Sequence, residues 1–217
     1  MCQWDPKFYY SNSSAQKNWG FELLAKLRFK GSERFLDVGC GDEKLSAEIA
    51  KSLSWGSILG INLSEDMITF ARDYYPQEKF PNISLMQIDA TELTFDSEFD
   101  CCVFQRCFSL DKSSWNCSEE FWENLNPDWI FLAQFGGKGN AAEVLKITDA
   151  MLENEKWSSS FKNFVFPYGL YVTGGYDKLL KYADFSVKRL QMHSKDMSLE
   201  GEKGLFAWIA STWLPYI

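Results

Sequence analysis

Residues 34–44 read Arg-Phe-Leu-Asp-Val-Gly-Cys-Gly-Asp-Glu-Lys. A short apolar run carrying one acid leads into two glycines at alternate positions, and an amphipathic segment, Leu45–Ser52, begins at once. That order predicts strand, tight turn, helix. Neither glycine has a Cβ, so Gly39 and Gly41 let the chain turn sharply and let a ligand come close to the backbone. A nucleotide-like group would then lie across the strand ends, met by backbone N–H groups and the helix N-terminus.

The rest of the chain repeats the alternation. After the strand Arg34–Val38, further strands are predicted at Ser57–Ile61, Ile83–Ile88, Phe99–Phe104 and Trp129–Gln134. Helical stretches lie between them, the clearest at Glu65–Tyr75. There Met67, Phe70, Ala71 and Tyr74 share one face, Ser64 is the N-cap, and Glu65 and Asp66 suit the first turn. Alternation of this kind predicts an α/β fold with a doubly wound, mostly parallel sheet. Beyond Gln134 the character changes. A Gly-rich loop, Phe135–Asn140, precedes a helix at Ala141–Met151 and an aromatic stretch at Trp157–Tyr171. A helix at Tyr176–Tyr182, a strand at Phe185–Met192 and an aromatic tail from Gly204 complete the chain. One domain over 1–217 is expected, with a core at 30–135 and a small helical, aromatic cap with further sheet elements at 136–217.

Composition excludes several classes of function. The net charge is −8 over 217 residues, and no run of Lys or Arg supplies a local basic patch. A general nucleic-acid binder needs such a footprint. The N-terminus has no apolar signal-like core, and no segment approaches the length of a membrane span. A soluble, cytoplasmic protein with no membrane partner is the expectation; the oligomeric state is left open. The six cysteines include no C-x-x-C pair and there is one histidine, so no metal site is expected. Buried reduced thiols are the better reading.

Two cofactor classes use a Gly-rich turn after a first strand. Dinucleotide enzymes place a third glycine where this chain has Lys44. S-adenosylmethionine (SAM) methyltransferases favour acid-x-G-x-G-x-G, which fits Asp37, Gly39 and Gly41 and fails at Glu43. A turn that binds nothing is the plain alternative. The other strand ends add weight to SAM. Asn62-Leu63-Ser64, Asp89-Ala90 and Gln105-Arg106 fall there with residues 37–42. The acid Asp89 suits an adenine amine, and Asn62 suits ribose hydroxyls. Leu63, Met67 and Ala90 can flank the base.

Here the chain resembles the class I SAM-dependent methyltransferases, in particular the group similar to trans-aconitate methyltransferases. The resemblance spans nearly the whole chain. It rests on Leu36-Asp37-Val38-Gly39-Cys40-Gly41-Asp42, Gly60-Ile61-Asn62-Leu63-Ser64 with Met67-Ile68, Asp89-Ala90 and Phe99-Asp100. It continues through Gln134-Phe135-Gly136-Gly137-Lys138-Gly139-Asn140, Phe166-Pro167-Tyr168-Gly169 and Trp213-Leu214-Pro215-Tyr216. The resemblance implies a Rossmann-like methyltransferase fold and SAM as cofactor. It also implies an N-terminal helix that closes over the cofactor through Gln16, and a small-molecule acceptor. The expected cofactor set is therefore Gln16, Asp37, Gly39, Cys40, Gly41, Asn62, Leu63, Met67, Asp89, Ala90 and Gln105.

The departures carry information too. Glu43 replaces a glycine, which places a longer acid near the cofactor's methionine end. Asn62 replaces the acid that grips both ribose hydroxyls. Phe104-Gln105 and Phe108-Ser109-Leu110 replace a Ser-Asn pair and a Leu-His-Trp, and Asn126-Pro127-Asp128 replaces a Pro-Gly-Gly turn. The group also runs on past Trp-Leu-Pro-Tyr to a final strand, so that edge of the sheet is expected to be absent or filled otherwise. For the substrate, Arg106 is the candidate partner of a carboxylate. Tyr168, Tyr171 and Trp213 are candidates for a pocket wall, with packing as their alternative role, as also for Trp208. His193 is read as a surface histidine rather than a base. The expected function is methyl transfer to a small molecule, with a carboxylate as candidate acceptor. The alternatives are an inactive methyltransferase-fold binding protein and an NADP-dependent oxidoreductase. No catalytic residue stands out.

Overall fold

The structure, a computed structural model, describes residues 5–93, 98–105, 129–164, 166 and 169–212. Five strands form one parallel sheet: β1 (Arg34–Val38), β2 (Ser57–Asn62), β3 (Ile83–Gln87), β4 (Cys101–Gln105) and β5 (Ile130–Gln134). Their spatial order is β3-β2-β1-β4-β5. The order reverses direction beside β1, and the crevice at such a switch point is where open α/β sheets hold ligands.

The central strands are apolar on both faces because both are covered. Phe35, Leu36 and Val38 of β1 are buried, as are all of Cys101, Cys102, Val103 and Phe104 of β4. A strand covered on one side alone would alternate instead. The two adjacent cysteines point to opposite faces and are both buried.

Side-chain caps open two of the helices. Helix α1 (Pro6–Asn12) opens at Asp5, whose carboxylate accepts from the Phe8 N–H at 3.0 Å. Helix α2 is Ser14–Leu24 and α3 is Lys44–Lys51. Helix α4 (Glu65–Tyr74) starts at Ser64, whose hydroxyl accepts from the Met67 N–H, with Glu65 and Asp66 in its first turn. Its Met67, Ile68, Phe70 and Ala71 are buried. Leu24 of α2 and Leu45, Ile49 and Ala50 of α3 join Phe35, Ile58, Ile83, Cys101 and Val103 in one core.

The described residues fall into two compact units. One takes in the chain up to Gln105, then 129–135 and 195–212; the other takes in 136–194. The second holds α5 (Ala142–Leu152) and α6 (Thr173–Tyr182). In it the buried Tyr176 hydroxyl donates toward the Gly136 and Gly169 carbonyls, both at 2.9 Å, which ties the Gly-rich loop to α6. The last helix, α7 (Gly201–Thr212), groups with the first unit and packs against α1.

One predicted element is absent. Residues 185–192 form no strand. Phe185, Val187 and Arg189 alternate with Ser186 and Lys188, but only Phe185 and Val187 are part-covered, and no neighbouring strand pairs with the segment. Side-chain alternation needs a ladder to become a strand.

The entry to β2 is a tight spot. A Cβ on Gly56 would lie 2.1 Å from the Glu33 carbonyl oxygen, which belongs to the backbone and cannot step aside. Gly56→Ala is expected to cost about 1–3 kcal/mol or more, lowering Tm by several degrees at roughly 2–4 °C per kcal/mol. Thermal unfolding followed by circular dichroism measures it; an unchanged Tm would mean that the β1–β2 connection is slack.

Candidate active site

A narrow cleft opens at the carboxyl ends of β1 and β4. It is lined by Tyr9, Ser13, Gln16 and Lys17 from α1 and α2, by residues of the glycine turn with Lys44 and Leu45, and by Gln105. Gly39 (φ 70°) and Gly41 (φ 56°) are both left-handed, the conformation that glycine adopts without penalty. The Gly39 and Cys40 N–H groups donate to the Ile61 carbonyl at 2.8 and 3.0 Å. Those two donors therefore bind the turn to β2 rather than to a ligand. The N–H groups of Gly41 and Asp42 have no acceptor among the described residues.

Asp37 is buried, and the Ser46 hydroxyl donates to it at 2.5 Å. Burial pushes Asp37 up to about 6; the Ser46 bond works against this and the Asp42 charge adds to it. Asp37 lies opposite Gly60 in the β1–β2 register. Gly60 has no side chain, and the pit this leaves is filled by Glu43: a Cβ on Gly60 would sit 2.8 and 3.0 Å from the two Glu43 carboxyl oxygens. Glu43 itself is left-handed, at φ 63°. Its side chain is 0% exposed, and neither carboxyl oxygen has a hydrogen-bond partner among the described residues. Burial and then the Asp37 charge push it up to about 8, with Asp42 adding; Cys40 and Ser46 lie close enough to pull it down, but neither reaches it in hydrogen-bonding geometry. The sequence reading put this carboxyl at the cofactor's methionine end. It lies instead against the sheet, outside the cleft lining, because an αL residue at the helix start aims its side chain into the gap at Gly60.

A buried ion pair fastens the N-terminal helices to the turn. Lys44 Nζ is 2.9 Å from the Asp42 carboxylate, with the two side chains only 12% and 10% exposed. The Ser13 hydroxyl donates to Asp42 at 2.5 Å and accepts from Lys44 at 2.6 Å, and Lys44 also donates to the Tyr10 carbonyl at 2.5 Å. The same ammonium stands 3.7 Å from the Tyr10 ring centroid. Tyr10 in turn packs on Phe70 and Tyr74 of α4. Gln16 is thereby held at the cleft. Its backbone carbonyl accepts from Gln105 Nε2 at 2.6 Å, while its own side-chain amide is buried, with neither atom partnered among the described residues. An orphaned amide in a cleft lining calls for a ligand with both a donor and an acceptor. The amino acid end of SAM has both, so these residues fit that group.

The structure thus brings Gln16, Asp37, Gly39, Cys40, Gly41 and Gln105 around one cleft. Asn62, Leu63, Met67, Asp89 and Ala90 lie along the neighbouring ends of β2 and β3 and the start of α4. Met67 reaches toward the turn: its Cε would be 3.8 Å from a Cβ on Gly41. Leu63 is 62% exposed, an open apolar surface. The Asn62 side-chain oxygen accepts from the Ser64 N–H at 2.9 Å, so its acceptor is already engaged in the turn before α4. Of the substrate candidates, Arg106, Tyr168 and Trp213 lie outside the described residues. Tyr171 belongs to the second unit, where its ring meets that of Tyr176 edge-on. His193 is exposed. Sequence reasoning missed Ser13, Lys17, Lys44 and Leu45, and gave Asp42 no role beyond its place at the strand end. It also missed Gln134, opposite Gln105 at the end of β5, whose buried side-chain oxygen has no donor among the described residues. Strand-end position was the available signal for Gln134; nothing local marks Ser13.

Comparison with known proteins agrees with this geometry. A family model described as a methyltransferase domain matches residues 35–128. Trans-aconitate 2-methyltransferase of Deinococcus radiodurans is 23% identical over 220 residues, 99% of this chain and 82% of that protein. Malonyl-[acyl-carrier protein] O-methyltransferase of Priestia megaterium is 23% identical over 141 residues, 64% of this chain and 50% of that protein. Among solved structures, Haemonchus contortus phosphoethanolamine N-methyltransferase 2, in complex with phosphomonomethylethanolamine and S-adenosylhomocysteine (SAH), shares the fold. Its TM-score is 0.60 at 21% identity, covering 78% of this chain and 37% of that one. Residues 35–128 thus match a methyltransferase domain, on the Rossmann-like fold of solved SAM-dependent methyltransferases. Within that class it resembles the trans-aconitate methyltransferase group, and the cofactor of the class is S-adenosyl-L-methionine.

Removing one half of a buried ion pair strands the other. Lys44→Met is expected to cost about 3–5 kcal/mol, lowering Tm by on the order of 10 °C and opening residues 5–17 to limited proteolysis. A Tm within a degree of wild type would show that Asp42 is adequately solvated without Lys44.

Proposed function

We propose that the chain binds SAM along the ends of β1–β4 and transfers its methyl group to a small-molecule acceptor, with a carboxylate as the candidate class. The observation that carries the reading is the buried Gln16 amide, without a partner among the described residues, in the lining of the same cleft as the two left-handed glycines. In this reading the Gln16 amide and the Gly41 N–H hold the amino acid end, while Gly39 and Cys40 fasten the turn to β2 and shape it for the cofactor. Asn62 serves the ribose through its amide N–H groups, since its oxygen is engaged by Ser64. Asp89 accepts from the adenine amine, and Leu63, Met67 and Ala90 flank the base. Gln105 braces the N-terminal helices over the site. When bound, SAM supplies a methyl group already made electrophilic by its sulfonium. The residues of this chain then have positioning and exclusion of water as their task. A carboxylate acceptor needs no general base, which suits a site with no histidine among its described residues. Two relatives, named for trans-aconitate and a malonyl group, support an acid as acceptor. The inactive alternative rested on Glu43, Asn62 and the replaced Leu-His-Trp; the first of these grounds lapses because Glu43 lies outside the cleft lining.

Parallel calorimetric titrations with SAM, SAH and NADPH test the reading. SAM and SAH should bind and raise Tm; a response to NADPH alone would overturn it. A side chain on Gly41 would start 3.7 Å from the Tyr9 ring and 3.8 Å from Met67, inside the cleft, and at positive φ. Gly41→Val is therefore expected to lower SAH affinity at least about tenfold while the protein stays folded. Unchanged affinity would reduce the glycine turn to a structural element.

Asn62→Asp keeps the acceptor for Ser64 and adds a second, charged oxygen for the ribose. SAH should bind a few-fold more tightly to this variant. A tenfold loss, read by the same titration, would place the ribose elsewhere.

A further inference from the structure

Glu43 is the one group in the turn that cofactor binding leaves without a task. Its carboxyl is sealed in the pit at Gly60, with no hydrogen bond to either oxygen. The groups that face it are Asp37 from β1, Cys40 and Asp42 from the turn, and Ser46 from α3. Tyr75, following α4, also feels its charge. The nearby cation, Lys44, is committed to Asp42. Asp37 titrates first, near 6, and Glu43 then meets an established negative charge. An ionised Glu43 has no hydrogen bond among the described residues to hold it there, so relief requires that the turn open and admit water. The turn that must open carries Gly39, Cys40 and Gly41.

We propose that Glu43 is a positioning residue that holds the glycine turn closed only as the neutral acid, so that one proton gates cofactor binding at this site. The proposal rests on the SAM reading above. In the neutral state Glu43 fills the space that Gly60 vacates and supports the turn from below. On losing its proton to solvent, it destabilises that arrangement, and with it the backbone that the cofactor meets. Glutamine keeps the shape without the ionisation. Glycine suits φ 63° and leaves the pit empty.

The test is SAH affinity from about pH 6.5 to about pH 9.5, with ligand-free Tm across the acid and alkaline range, for wild type, Glu43→Gln and Glu43→Gly. Wild-type affinity should be level up to about pH 8 and then fall by up to about tenfold per pH unit, while both variants stay level. The ligand-free profile has a different window. The unfolded chain loses its Glu43 proton near 4.5 and the native state keeps it to about 8. Wild type should therefore lose stability relative to Glu43→Gln as pH rises between those values, with no further relative loss above them. Level wild-type affinity across the whole range overturns the proposal, whatever the variants do. So does an alkaline loss that wild type shares with both variants. Failure of SAH to bind at any pH overturns the reading of the site as well. In that event the ligand-free profiles still decide whether Glu43 is the proton-linked group, and coincident profiles would show that it is not.

Discussion

The packing of Glu43 into the gap at Gly60 is the constraint on which the site depends. Two positions from different strands meet there: Asp37 stands opposite Gly60 across the β1–β2 register. The absence of one side chain makes room for another that arrives from the turn. Space of that size inside a core does not stay empty without cost. Filling it with a carboxyl anchors the start of α3 to the sheet and leaves the cleft side of the turn to glycine backbone. The cost is a buried acid without a hydrogen-bond partner, beside a second acid. Strain of this kind is tolerated where surrounding structure determines it. Here the neighbours of Glu43 come from β1, β2, the turn itself and α3.

A second set of contacts completes the cleft from above. Lys44 and Asp42 follow the glycines directly, and both turn toward the N-terminal helices rather than toward solvent. Ser13 sits between them, at the junction of α1 and α2. Tyr10 carries the connection on to α4 through tilted contacts with the Phe70 and Tyr74 rings, which stack on each other. The buried pair is weak evidence for net stability, since desolvation opposes its Coulombic gain. Its consequence is register: it holds α2 so that Gln16 lines the cleft beside the turn. The polar set that holds the N-terminal segment is therefore distinct from the set that faces the cleft.

This division suits methyl transfer. The reaction asks the protein for alignment and a dry site more than for proton shuttling. A rigid turn, a braced N-terminal cover and an orphaned amide supply those requirements without a nucleophile. The departures from the family pattern also change meaning in the folded chain. Asn62 is engaged in the turn that starts α4, and Glu43 has become part of the packing beneath the turn. Neither blocks the strand ends.

The short apolar strand runs, the Ser64 cap and the glycines at 39 and 41 were all legible in the linear chain, because each depends on local sequence and backbone geometry. Strand ranges agreed to within a residue or two, and with them the strand ends on which the candidate cofactor residues lie. The Phe185–Met192 segment misled because alternation reports a half-covered surface, not a hydrogen-bonded partner. Glu43 misled for a related reason. Its neighbours in sequence are glycines of the cleft, but its neighbours in space are Asp37 and Gly60, and the direction of its side chain was decided by a left-handed φ and a vacancy on β2. Ser13, Asp42 and Lys44 are unremarkable in the sequence because the interaction that unites them spans about thirty residues. Local order follows from each residue's own conformational preferences. Which buried polar groups meet, and which are left without a partner, is decided only when distant segments close on one another and exclude water.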